Sequence, residues 1–198
     1  MNRFFFSILL LLASMTVSTL SVSAQTAEQE IRSLLESRDS EIKEIVGPKG
    51  TELEDSERER LKSLVNDIID FESMARYALA STWESLESDV QQEFVSIFTS
   101  IVRDHSLSRL EIYRAEVLYE EIVVEEGMAR VETIAQLEES RIPVGYTLEQ
   151  RGPEWVIIDM YIDDVSTSES YRTQFQSIIR QRGFDALLEN LRRKAVQT

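Results

Sequence analysis

The sequence predicts an α+β domain: N-terminal helices, a four-stranded antiparallel curved sheet, then C-terminal helices packed on one side of it. Three observations carry this reading. Apolar residues recur at helical spacing over residues 26–112, the period changes to two after Tyr113, and helical spacing returns after Ser166.

Residues 1–24 come first and read as a secretory signal rather than as part of the fold. Arg3 supplies the positive start, Phe4 to Leu12 the apolar run, and Val22-Ser23-Ala24 a cleavable end with small residues at the right places. The apolar run is shorter than the roughly 20 residues a membrane span needs. No Cys follows it to carry a lipid anchor, so residues 25–198 are expected to form one exported domain.

Thr26 and Gln29 form a capping-box pattern, followed by the stripe Ile31, Leu34, Leu35, Ile42 and Ile45, and Gly47-Pro48-Lys49-Gly50 ends that helix. A second helix is expected from Ser56, boxed with Glu59, with Leu61, Leu64, Val65, Ile68 and Ile69 on one face. Asp70-Phe71-Glu72 marks a break before a short helix carrying Met74, Ala75, Ala78 and Leu79. The longest helix is expected from Ser88, boxed with Gln91, burying Val90, Phe94, Phe98, Ile101 and Val102.

Four strand-like runs follow: Arg114 to Val124, Met128 to Leu137, Ile142 to Gln150 and Trp155 to Ile162. Glu126-Gly127, Glu138 to Arg141 and Arg151-Gly152-Pro153 are hairpin-length links, so a meander is the economical topology. Ser166 to Glu169 caps a helix lined by Tyr171, Phe175, Ile178 and Ile179 that stops at Gly183. Phe184 to Ala195 makes the last one.

Composition narrows function. A net charge of -15 argues against nucleic acid, whose affinity comes mostly from basic side chains. With no Cys and a single His, thiol nucleophiles, disulfides and His-rich metal sites drop out. Catalytic candidates are poor. His105 stands at a helix end, Asp163-Asp164 reads as a solvated turn, and Asp159 inside an apolar strand needs a partner such as Arg172 or Arg103. No nucleophile accompanies them, so no catalytic residue is assigned.

The last two strands are apolar on both faces. Ile142, Val144, Tyr146 and Leu148 alternate with small or neutral residues. Strict alternation then places Val156, Ile158, Met160 and Ile162 on one face of the fourth strand, and Trp155, Ile157 and Tyr161 on the other. Such strands are covered twice, either by helices or around an apolar cavity.

The run Asp70-Phe71-Glu72-Ser73-Met74-Ala75-Arg76-Tyr77-Ala78-Leu79, with Trp83 and the helix start Gln91-Gln92-Glu93-Phe94, resembles the MlaC family of periplasmic phospholipid-binding proteins, also called toluene-tolerance auxiliary proteins. Trp155 to Met160, Val165-Ser166, Tyr171-Arg172, Phe175, Gly183 and Leu187-Leu188-Glu189-Asn190-Leu191 follow the family order. The chain departs from the family pattern at Ala80 and at Asp164, where the family usually has Gly.

The resemblance implies an NTF2-like fold enclosing an apolar cavity, and a soluble carrier rather than an enzyme. The implied cavity lining is Phe94, Phe98 and Ile101 from the long helix, Val131, then Ile142, Val144, Tyr146 and Leu148, and finally Val156, Ile158, Met160 and Ile162. Asp70, Trp83, Asp159, Ser166 and Arg172 are its structural motif residues. The implied cargo is a phospholipid, with no cofactor and no metal. The implied partners are an outer-membrane lipoprotein complex and an inner-membrane ABC transporter with an MCE-domain protein, with no stable membrane insertion. Two rivals stand beside it: an enzyme using Asp159 with His105, and an interaction module with a closed core.

Overall fold

The computed structural model describes residues 18–107 and 110–196. The basic start and apolar run of the expected signal lie outside them. Helix α1 spans Ser18–Val46, so Thr26 is inside the helix and does not cap it. Its far end is held by Arg114, whose side chain is 10% exposed. Arg114 donates from Nε to Gly47 O (2.9 Å) and from Nη2 to Val46 O (2.9 Å). A cation on the last free carbonyls also offsets the helix dipole.

Helix α2 spans Asp55–Asn66 and is capped two residues earlier than its sequence suggests. The box pairs Glu54 with Glu57, whose side chain accepts the Glu54 N–H at 2.8 Å, while Glu59 binds Lys62. Asp70 caps α3, Phe71–Leu79, by accepting from Ser73 N at 3.0 Å. A 3-10 turn, Ala80–Ser85, buries Trp83 and leads to α4, Ser88–Leu107. At that start Gln91 N donates to Glu87 O at 3.0 Å and Gln91 Nε2 to Trp83 O at 2.8 Å.

After a 3-10 turn at Leu110–Arg114, five strands form one antiparallel sheet in the order β1-β2-β3-β4-β5. They are β1 Glu116–Glu125, β2 Met128–Leu137, β3 Ser140–Arg151, β4 Glu154–Ile162 and β5 Val165–Ser166. The strand beyond the expected four is the two-residue β5, which pairs with Tyr161 and Ile162. Glu126 and Gly127 both take positive φ, 49° and 78°, and so do Asp163 and Asp164, at 53° and 62°. That is the requirement of a type I′ turn, whose twist matches the strands it joins.

Helix α5, Thr167–Arg182, is capped by Ser166, which accepts from Glu169 N at 3.0 Å. It ends at Gly183 (φ 83°), where α6, Phe184–Ala195, begins. The Glu169 carboxylate accepts from Tyr77 Oη at 2.6 Å.

Pairing across the sheet fixes its two faces. One carries Ile122, Val131, Tyr146 and Met160 in a row, flanked by Thr133, Val144 and Ile162 on one side and Ala129, Leu148 and Ile157 on the other. Helix α1 covers this face, laying Ile31 and Leu35 with Ile68 on Val131, Leu148, Trp155 and Ile157. A second core lies among α3, α4, α5 and α6, where Phe94, Phe98, Tyr171, Phe175 and Phe184 meet with ring centroids 5.2 to 6.1 Å apart. Burying side chains of this size contributes about 1.5–3 kcal/mol each.

Strict alternation fails in β4. Thr147 pairs with Asp159 but Leu148 pairs with Ile157, so Ile158 is the extra residue of a β-bulge. Trp155 and Ile157 therefore share the α1-covered face with Met160 and Ile162. Val156, opposite Glu149, faces the other way.

Candidate functional site

The two cores meet along a seam. Its position is fixed by the link between α2 and α3, which runs beside β4: Ile157 N donates to Ile68 O and Asp70 N donates to Ile157 O, both at 2.8 Å. Ile69, between those two residues, packs against both cores. Asp70 accepts from Ser73 and forms an ion pair with Arg151, which also binds Glu149 at 2.8 Å and Ser73 Oγ at 2.8 Å. Burial pushes the Asp70 carboxyl up, but the Ser73 hydrogen bonds and the Arg151 guanidinium outweigh it and hold it below the usual carboxylate range.

A narrow cleft opens on this seam, lined by Val65, Ile69, Phe71, Met74, Val102, Arg103, Met160 and Thr167. Its volume is about 20 Å³, which is room for roughly one water. Six of its eight walls are apolar. A larger hollow of about 390 Å³ lies at the end of α1, lined by Lys43, Gly47, Pro48, Lys49, Glu111, Arg114, Leu137 and Glu138. Its cations are engaged by neighbours: Lys43 by Asp39, Lys49 by Glu138, and Arg114 by Glu111. With Leu137 as its one large apolar wall, it suits a hydrated surface and not a hydrocarbon chain.

The residues expected to line one cavity are distributed over several environments. Phe94, Phe98 and Ile101 are buried in the helical core. Val131 and Leu148 are fully buried under α1, with Tyr146 and Met160 at the border of that cluster. Val144 and Ile142 belong to a small cluster with Ala115 and Ala135. Ile162 is 43% exposed at the end of β4. Val156 faces away and Ile158 is the bulge residue. Met160 is the one member of that set among the cleft walls.

The motif residues hold the frame. Asp159 is satisfied without arginine: it accepts from Ser166 Oγ (2.6 Å), Ser168 N (2.9 Å) and Met160 N (2.9 Å), fastening the start of α5 to β4. Arg172 stacks over Tyr77, 4.7 Å from the ring centroid, and Arg103 contacts Asp104. Trp83 is buried in the helical core. His105 is exposed on α4. Among the described residues no group of three or more His, Asp or Glu is placed to hold a metal, and no helix is long and apolar enough to cross a membrane.

Sequence reasoning missed Val65, Ile69, Phe71, Met74, Val102, Arg103 and Thr167 as neighbours in one site. The available signal was the apolar stripe of α2 running without interruption into the Asp70 break.

Comparison with known proteins adds three findings. The family model described as MlaC protein matches residues 25–193. Among solved structures, the chain is similar to a phospholipid-binding protein from Ralstonia solanacearum in complex with a phospholipid. The TM-score is 0.72 at 19% identity, covering 86% of this chain and 97% of that one. Comparison with curated proteins gives no match.

Proposed function

The chain belongs to the MlaC family, and from that premise we propose that it is a periplasmic phospholipid carrier, a binding protein rather than an enzyme. The acyl chains of its cargo enter at the seam between the helical core and the sheet. The observation that carries this is the cleft itself, where Val65, Ile69, Phe71, Met74, Val102 and Met160 converge from four separate elements and the α2–α3 link.

At about 20 Å³ the cleft is too small for an acyl chain, whereas sites for molecules of lipid size run to roughly 300 Å³ and more. Loading therefore requires the layers to part. Each layer has its own core, one aromatic among the helices and one beneath α1, so each retains most of its packing when they separate. The backbone pairing of Ile68 and Asp70 with Ile157 supplies a pivot.

Enclosure has to be complete for the tails alone. Leaving about four methylenes in water costs about 3 kcal/mol, or about a hundredfold in affinity, while a polar head can stay hydrated. In this reading the carrier moves lipid between an outer-membrane lipoprotein complex and an inner-membrane ABC transporter with an MCE-domain protein, and so maintains outer-membrane lipid asymmetry.

Mass spectrometry of organic extracts from protein purified out of its native compartment tests the proposal. A diacyl phospholipid at about one per chain is expected. The tight packing of the seam favours a second reading, an interaction module with a closed core, and an extract free of lipid from protein that also takes none up would decide for it.

A further inference from the structure

We propose that Gln25 becomes the first residue of the exported chain and closes on itself to pyroglutamate, giving helix α1 a modified and uncharged start. This rests on the export reading, under which the chain is cut after Val22-Ser23-Ala24. The family model begins its match at the same place, residue 25. The structure leaves that place open to processing, because Ala24 and Gln25 are both exposed. Among the described residues of α1, Ala27 is the first to pack against a core and Ile31 the first to be fully buried. Severing α1, Ser18–Val46, after Ala24 therefore costs the fold no core contact among the described residues.

A terminal glutamine carries its own electrophile. The α-amino nitrogen attacks the side-chain Cδ and a five-membered lactam forms. The Cδ–Nε2 bond breaks, and ammonia leaves with a proton taken from the amine. Nothing is oxidised or reduced, and no co-reactant is needed. Both groups belong to one residue, so the step is intramolecular. An α-amino group titrates at about 7.7–8.0, which leaves roughly a tenth of the ends uncharged and nucleophilic at neutral pH.

The position of Gln25 adds to this. A helix that starts there sets the ammonium beside free backbone N–H groups at the positive end of the helix dipole, which disfavours the charged form. The lactam removes that charge, and with it the free amine that an aminopeptidase requires.

Protein purified from its native compartment is weighed intact by mass spectrometry, undigested, both fresh and after days at neutral pH. The expected mass is that of residues 25–198 less one ammonia, about 17 Da. The share carrying this loss should grow on incubation until no free Gln25 is left. Gln25→Ala keeps Val22 and Ala24 to direct the cut and cannot form the ring, so it should hold its full mass. Gln25→Asn, one methylene too short for the ring, replaces it should the Ala variant be cut elsewhere. Aminopeptidase supplies a second readout: incubated wild type should keep its length while the Gln25→Ala variant is trimmed at its exposed end.

A chain that starts at Gln25 and keeps its full mass after incubation overturns the modification and leaves the cleavage intact, and trimming of incubated wild type does the same. A chain that starts at any other residue overturns the modification together with the cleavage it rests on. In either case lipid carriage stands or falls by the extraction experiment alone.

Discussion

Asp70 makes three contacts: its carboxylate caps α3 and pairs with Arg151, and its backbone N–H donates to Ile157 O. Because its folded pKa is depressed, the stability it contributes is present above the unfolded value near 3.9 and is lost as pH falls through the folded value. Asp70→Asn keeps a good cap but removes the charge. We expect the variant to be less stable at pH 7 by about 1 kcal/mol. In urea titrations from pH 6 to pH 2 the gap should close below about pH 4; parallel curves would refute the role of the charge. Asp159 shows how far residue-level inference reaches. An acid in an apolar strand does need partners, and the partners proved to be the hydroxyl and backbone N–H at the start of α5, which no spacing rule connects to it.

The end of α3 carries local strain. Ala80 takes φ 49° and ψ -132°, a region that suits glycine and disfavours any side chain. Gln176 Nε2 of α5 donates to Leu79 O at 2.9 Å and holds the end in place. Asp164, the other position where the family usually has Gly, also has positive φ, 62°. Ala80→Gly should relieve more strain than it adds in unfolded-state entropy, stabilising the protein by about 1 kcal/mol, visible as a raised urea midpoint. A midpoint that falls would show that the backbone there is not strained.

Other element boundaries were legible to different degrees. Met128–Leu137 and Phe184–Ala195 follow from periodicity residue for residue. The start of α2 does not, because Glu54 with Glu57 and Ser56 with Glu59 satisfy the same spacing. The bulge at Ile158 leaves no mark in composition, and it moved half of β4 to the other face. The cleft was illegible for a related reason: its walls come from positions 65–74, 102–103, 160 and 167, which only the tertiary fold brings together.

At the scale of the whole molecule, a charge of -15 should keep the carrier off bare anionic bilayers. In flotation with phosphatidylglycerol vesicles the protein is expected to stay in the bottom fraction at low salt as well as at about 0.15 M. Co-flotation that weakens as salt rises would contradict this and would make membrane attraction part of the cycle. Strand β1 has a different consequence. It is the long outer strand of the sheet, broken by a bulge at Glu120 and bearing Glu116, Glu120, Glu121 and Glu125, all exposed. A second copy laid along it would bring glutamates against glutamates on a ladder already out of register. Stacking into a cross-β fibril is therefore opposed by both charge and geometry, and this long edge is kept from starting it.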